Sequence, residues 1–301
     1  MKSGFIAITG KANAGKSTLV NSLVGEKVSI VSHKPQTTRN KISGILNGEK
    51  NGEEFQAIFI DTPGLHRAKN ALSEYMMLEA GSVNEGADAA IYVLACDKEP
   101  DKYDDERIRA LACSPIPFIL AVNKCDVADP EFVPQRIDRY KDVEGIAAII
   151  PISARTGKNF DMLLDEIVKV LPEGRRYYDE DVYTDKNMRF MAAEIIREKA
   201  LYNLSDEVPY GIGVNINKYS VQENGVTEID ADVICEKKAH KPIIIGKGGA
   251  MLKKIGSDAR FELEKLTGGR VYLTLWVRVK PDWRDDGSVM RMLGYDKKNL
   301  Q

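Results

Sequence analysis

Cysteine, histidine and tryptophan are all scarce in this chain of 301 residues, with four, three and two copies respectively. Cys96, Cys113, Cys125 and Cys235 form no Cys-x-x-Cys pair and have no histidine at ligand spacing. That excludes a disulfide framework and a zinc site of the usual spacing, and it fits a reducing cytosol. No apolar stretch approaches the ~18 residues that span a bilayer, and the opening MKSGFIAITG is too brief for a signal peptide. A soluble protein is expected, with peripheral membrane contact left open. Neither sign of charge dominates, since 43 Lys+Arg against 45 Asp+Glu leave a formal charge of −2. Any nucleic-acid contact must therefore come from a local patch and not from a global field.

At ~100–200 residues per domain, the length suggests two domains. Five continuous apolar runs punctuate the first half: Phe5 to Thr9, Phe55 to Ile60, Ala89 to Ala95, Phe118 to Val122 and Ile149 to Ile152. Continuous runs are what strands covered on both faces require. Between them lie segments of helical spacing, such as Leu19, Val20, Leu23, Val24 and Leu163, Leu164, Ile167, Val168. Strand and helix in alternation predict a mostly parallel sheet with right-handed crossovers and helices on both faces. Residues 41–54 break the pattern as a sixth strand, which turns at Asn-Gly and pairs antiparallel with the 55–60 strand at one edge.

The turn after the first strand, Gly10-Lys11-Ala12-Asn13-Ala14-Gly15-Lys16-Ser17, matches G-x-x-x-x-G-K-[ST] between a strand and a helix, with Thr18 next on that helix. Its backbone N–H groups and helix N-terminus suit phosphates, Lys16 suits the β/γ oxygens, and the Ser17 hydroxyl suits Mg²⁺. Asp61-Thr62-Pro63-Gly64 closes the 55–60 run and sets a carboxylate at the strand edge where ligands of open α/β sheets collect. Asp61 is expected to hold the metal, and the Gly64 amide to sense a γ-phosphate. Taken alone, Asp-Thr-Pro-Gly is an ordinary turn. Asn123-Lys124-Cys125-Asp126 follows the fourth run. The Asp126 carboxylate accepts from both N1–H and the 2-amino group of guanine, whereas adenine offers it no donor there. Asn123 ties loops together, the Lys124 stem covers the base, and Ser153-Ala154 supplies a backbone N–H for the guanine 6-oxygen.

Residues 172–187, rich in charge with Pro172 and Gly174, read as a linker between a domain at 1–171 and a second at 188–284, with 285–301 as a C-terminal tail; the last twenty residues, around Pro281, Asp285, Asp286 and Gly287, read as poorly structured. The second domain runs α-β-β-α-α-β. Its last strand sets Val271, Leu273, Leu275, Val277 and Val279 on one face, and Tyr272 and Trp276 alternate with them, either to flank a neighbour or the RNA or, the favoured reading, to cover a helix. From Lys237 to Lys254 there are six lysines and no acid, around Gly246-Lys247-Gly248-Gly249. G-x-x-G between helices resembles the KH fold of the prokaryotic type, which clamps ~4 nucleotides of a single strand. On that likeness Ile245, Gly246, Lys247, Gly248, Gly249, Lys253 and Lys254 are the RNA-binding candidates, with Ile243, Ile244 and Ile245 as an apolar platform.

The order of the four nucleotide motifs, the Gln36-Thr37-Thr38-Arg39 stretch, and Leu65 after Asp-Thr-Pro-Gly resemble the Era family of ribosome-assembly GTPases, over both domains. The resemblance implies a P-loop GTPase domain with a six-stranded sheet, followed by an α+β type II KH domain. It implies Mg²⁺ held by Ser17, Thr38 and Asp61, with Thr38 favoured over Thr37 within a mobile 29–39 loop, and catalysis resting on Lys16, Thr38 and Gly64. Leu65 replaces the water-orienting Gln of many GTPases, and His66 beside it is a weak candidate base. Some members with an apolar residue there use K⁺ held by the P-loop Asn, here Asn13. The implied partners are GTP and GDP, the 3′ end of small-subunit ribosomal RNA and the 30S subunit, for a monomer in the cytoplasm or at the inner membrane face. A P-loop phosphotransferase, or an RNA-binding module with a purely structural nucleotide site, are the alternatives.

Overall fold

The computed structural model of the chain describes residues 1–34, 36–64, 70–82 and 86–296. Two compact units emerge: Met1–Val31, Thr38–His66 and Met77–Asp185 form the first, and Ser32–Thr37, Arg67–Met76 and Lys186–Gln301 the second.

The first unit is built on strands β1 (Lys2–Thr9), β2 (Ile42–Lys50), β3 (Glu53–Asp61), β4 (Ala89–Ala95), β5 (Phe118–Asn123) and β6 (Ile146–Pro151), in the order β2-β3-β1-β4-β5-β6. β2 pairs antiparallel with β3 and the remaining pairs are parallel. The helices are α1 (Lys16–Val24), α2 (Ala71–Ser82), whose residues up to Met76 belong to the second unit, α3 (Lys102–Ala112), α4 (Phe132–Tyr140) and α5 (Phe160–Val170). Successive strand residues serve opposite faces, which is why the runs are apolar throughout. Ile6, Ile8, Ile91, Val93, Ile119 and Ala121 pack with Leu19, Val20 and Leu163 of α1 and α5. Ala7, Ala90, Tyr92, Leu120 and Val122 pack with Ile108 and Tyr140 of α3 and α4.

The segment expected as a linker is laid along this sheet. The Pro172 carbonyl accepts from Ser3 N–H at 3.0 Å, and that of Tyr183 from Ile45 N–H at 3.0 Å. Buried Gln56 donates to the Tyr178 carbonyl at 2.8 Å and accepts from Tyr177 N–H at 2.7 Å. Charge and the lack of apolar periodicity concealed this attachment, because it is made by backbone groups.

The second unit opens with α6 (Met188–Asn203), followed by a 3₁₀ turn at Val208–Gly211, β7 (Gly213–Val221), β8 (Thr227–Cys235), α7 (His240–Ile245), a 3₁₀ turn at Lys247–Gly249, α8 (Ala250–Thr267) and β9 (Val271–Val279). The sheet order is β7-β8-β9, antiparallel then parallel. Ile195, Ile196, Ile229, Val233, Ile244, Ile255 and Leu263 form its core. Tyr272 and Trp276 do not cover a helix. They are 64% and 53% exposed on the opposite face of the sheet, where Trp276 Nε1 donates to Asp230 at 3.0 Å. The expected unstructured tail is also corrected. Trp283 is fully buried and donates to the Gly211 carbonyl at 2.9 Å, and α9 (Gly287–Met292) is capped by the Asp286 carboxylate. Leu72, Tyr75, Met76, Ile234, Trp283, Met290 and Tyr295 make a second core there. No helix among the described residues is long and apolar enough to cross a membrane.

Candidate nucleotide site and nucleic-acid surface

The parallel pairing of β1 with β3 puts Ile8 opposite Asp61, so the turn after β1 and the end of β3 meet at one sheet edge. Ser17, at the start of α1, donates to Asp61 Oδ2 at 2.6 Å, and its Oγ lies 3.0 Å from that of Thr38. Ser29 donates to the same Asp61 oxygen at 2.7 Å. The other oxygen, Oδ1, is buried without a hydrogen-bond partner. Burial pushes the Asp61 carboxyl upward, while the nearby Lys16 charge and the Ser17, Ser29 and Thr38 hydroxyls pull it back. An orphaned, desolvated carboxylate oxygen amid hydroxyls suits a hard divalent cation such as Mg²⁺, which takes oxygen ligands. Thr37 is turned elsewhere, its hydroxyl donating to the Lys34 carbonyl at 2.6 Å.

Lys16 is buried, and its ammonium donates to the carbonyls of Gly10 and Lys11 at 2.9 and 3.0 Å; burial lowers its pKa. Such a cation, folded back over its own turn, has donors to redirect to phosphate oxygens. Asn13 sits in that turn at φ +63°. Gly15 lies at φ +102°, and a Cβ there would stand 2.2 Å from the Asn123 amide nitrogen, so only glycine serves. Lys11 is drawn to α3 by Asp101 at 2.6 Å and Asp104 at 2.7 Å. Thr62 donates to the Ile8 carbonyl at 3.0 Å, and Gly64 passes close to Ala12. Leu65 and His66 lie outside the described residues.

Asn123, at the end of β5, is the brace between loops. Its amide donates to the Ala14 carbonyl at 2.8 Å, and its oxygen accepts from Ala154 N–H at 2.8 Å. Ser22 of α1 donates to the Ala154 carbonyl at 2.7 Å. Ser153 donates to Asp126 Oδ1 at 2.8 Å, fixing that carboxylate at the rim. Lys124 has φ +73° and pairs with Asp97 at 3.0 Å. The structure thus gathers every described residue of the four motifs at one edge. Sequence reasoning missed Ser29 and the Lys11 anchors; Ser29's only signal is its place in the polar 29–39 loop.

In the second unit, Gly246 has φ +73°, and a Cβ there would meet that of Met251 at 2.7 Å. Lys247, Lys253 and Lys254 are exposed. A groove runs from Gly249 and Lys253 between Leu252, Gly256 and Arg260 of α8 and Leu273 and Leu275 of β9. Gly256 leaves room in it, since a Cβ would already touch Leu275 at 3.4 Å. The isoleucine platform is corrected in part: Ile244 is fully buried in the core, Ile245 is half-buried against it, and Ile243 is 50% exposed.

Comparison with known proteins assigns the two halves. The family described as 50S ribosome-binding GTPase matches residues 5–124, and the KH domain family matches residues 207–284. GTPase Era of Clostridium perfringens (strain ATCC 13124) is 48% identical over 296 residues, covering 98% of this chain and 99% of the relative. The chain belongs to the Era family of GTPases. Era of Clostridium kluyveri is likewise 48% identical, over 295 residues, 98% of this chain and 99% of its own. Among solved structures, an Aquifex aeolicus Era variant bound to GDP and AlF₄⁻ superposes with a TM-score of 0.91 at 39% identity, over 98% of this chain and 100% of that one. Era in complex with MgGDPNP and nucleotides 1506–1542 of 16S ribosomal RNA superposes equally, at 0.91 and 39%, over 98% and 99%. The Era fold therefore extends over both units, as the resemblance implied.

Proposed function

We propose that this Era-family GTPase binds GTP with Mg²⁺ at the β1–β3 edge, hydrolyses it, and grips the 3′ region of small-subunit ribosomal RNA with its KH domain during 30S maturation. The observation that carries the catalytic part is Asp61, whose buried Oδ1 lacks a partner while Ser17, Ser29 and Thr38 surround the carboxylate. In this reading Ser17, Thr38 and Asp61 hold Mg²⁺, which neutralises phosphate charge when bound. The amides of residues 10–18 cradle phosphates and Lys16 stabilises the charge that develops on the β/γ oxygens. Thr38 and the Gly64 amide complete the arrangement on the γ side. Thr62 and Pro63 flank it. Asp126 selects guanine, with Asn123, Lys124, Ser153 and Ala154 shaping the base pocket.

Magnesium-dependent release of phosphate from GTP, without a phosphorylated acceptor and lost in Lys16→Ala, is the expected result. Transfer to an acceptor would instead favour a phosphotransferase. For Asn13 the proposal is a K⁺ ligand, resting on its match to the family's P-loop Asn. Hydrolysis faster in K⁺ than in Na⁺ at equal ionic strength, with the difference lost in Asn13→Ala, is expected; equal rates remove it.

The RNA part is supported by the basic loop beside an apolar groove and by the relative solved with 16S ribosomal RNA. Gly246 to Gly249 let a sugar–phosphate chain approach, Lys247, Lys253 and Lys254 meet phosphates, and bases enter beside Ile245, Leu273 and Leu275. A monomer is the proposed working form. Contact with the inner membrane face has only the family resemblance behind it.

A further inference from the structure

The segment Ser32–Thr37, part of the second unit, is held by α6 at two places. Toward the helix C-terminus, Lys34 Nζ donates to the carbonyls of Leu201 and Leu204, where a helix presents unsatisfied acceptors and negative dipole. One and a half turns earlier, the guanidinium of Arg197, 1% exposed, donates to the carbonyls of Gln36 and Thr37. Arg197 is itself fixed by Glu194, also buried, through Nε at 2.8 Å and Nη2 at 2.5 Å. Between the two holds, Gln36 takes φ +60° and the Thr37 hydroxyl closes back on the Lys34 carbonyl.

Buried charge is costly unless paired and hydrogen-bonded, and here an arginine is buried to satisfy two consecutive carbonyls of a loop distant by 160 residues. The next residue along the chain is Thr38, whose hydroxyl stands 3.0 Å from Ser17 Oγ. One peptide bond thus joins the clamped carbonyl of Thr37 to the residue proposed as a metal ligand.

We infer that the Glu194–Arg197 pair, with Lys34, is a latch that positions Thr38 for the Mg²⁺–triphosphate, making Arg197 a positioning residue for GTP hydrolysis. The inference rests on the reading of the β1–β3 edge as the GTP site. GTPase switch segments are ordered by γ-phosphate and metal and released after hydrolysis, so the latch acts on the triphosphate state and not on GDP.

The test uses the full chain and the paired variant Glu194→Gln/Arg197→Met, which avoids leaving a buried carboxylate uncompensated. Affinities for GDP and for a non-hydrolysable GTP analogue are measured at saturating Mg²⁺, together with the single-turnover hydrolysis rate. Analogue affinity and rate are expected to fall about tenfold with GDP affinity within about twofold, the pattern also expected of Thr38→Ala alone; introduced into Thr38→Ala, the pair is expected to add less than about twofold. An unchanged GDP-to-analogue ratio in the folded variant, or a loss that multiplies with that of Thr38→Ala, overturns the latch. If the paired variant does not fold, Lys34→Met decides by the same ratio. Failure of the unaltered chain to bind GDP would sink the site reading itself, a result distinct from either.

Discussion

Asp126 is where a single atom type decides the substrate. Its carboxylate suits the two donors of guanine, so Asp126→Asn places a donor against donors and is expected to weaken GTP by about two to four orders of magnitude. Xanthosine triphosphate, which offers an oxygen at position 2, should gain affinity in the same variant; competition titration measures both. Ser29 is the residue the sequence did not announce, because a serine in a polar loop carries no signature of the carboxylate it will meet. Ser29→Ala removes one donor from Asp61 Oδ2 and is expected to cost about 1–2 kcal/mol of Mg²⁺–GDP binding, read by calorimetry at fixed free metal. Motif residues were legible for the opposite reason. Asp61 and Asn123 end strands, Asp126 follows one, and Lys16 and Ser17 open the helix after another, positions that the apolar runs already define.

At the scale of elements, strands buried on both faces, and the periodic helices between them, leave a pattern that sequence alone displays. Segments that attach through backbone groups or one large side chain leave none. The linker expected at 172–187 and the poorly structured tail expected after Pro281 are such segments, since the first is hydrogen-bonded along β1, β2 and β3 and the second buries Trp283. Trp283→Ala is expected to destabilise the second unit by about 3–5 kcal/mol, seen as a lower denaturant midpoint in chevron or equilibrium unfolding. The RNA-gripping turn calls for a different substitution, since Gly246 is tight against Met251 while Gly248 has open space around it. Aspartate tolerates the left-handed backbone of Gly248, φ +59°. Gly248→Asp should therefore keep the fold and weaken RNA binding at fixed salt, and Lys247→Ala should lower the slope of log affinity against log salt by about one.

For the molecule as a whole, each unit has a core of its own, but their membership does not follow the order of the chain. Ser32–Thr37 and Arg67–Met76 are N-terminal in sequence and group with the C-terminal unit. Nothing in composition or periodicity could reveal that, because both pieces are short, the first polar and the second reaching into α2, which continues in the first unit. If these loops report the nucleotide to the KH domain, RNA affinity at fixed salt will differ between GDP and a non-hydrolysable GTP analogue; identical affinities would refute the coupling. Nucleotide also stabilises by mass action, by about 2.7 kcal/mol at a hundred times Kd, so a rise of the melting temperature with GDP and Mg²⁺ should be concentration-dependent. The interleaved membership bears on attempts to build chimaeras. A KH module transplanted at residue 186 would arrive without Leu72, Tyr75 and Met76, on which Trp283 closes, and without the loop that Arg197 grips. Exchange between relatives must therefore carry three stretches of sequence together, and a graft that moves only the last would be expected to aggregate at its vacated apolar seat.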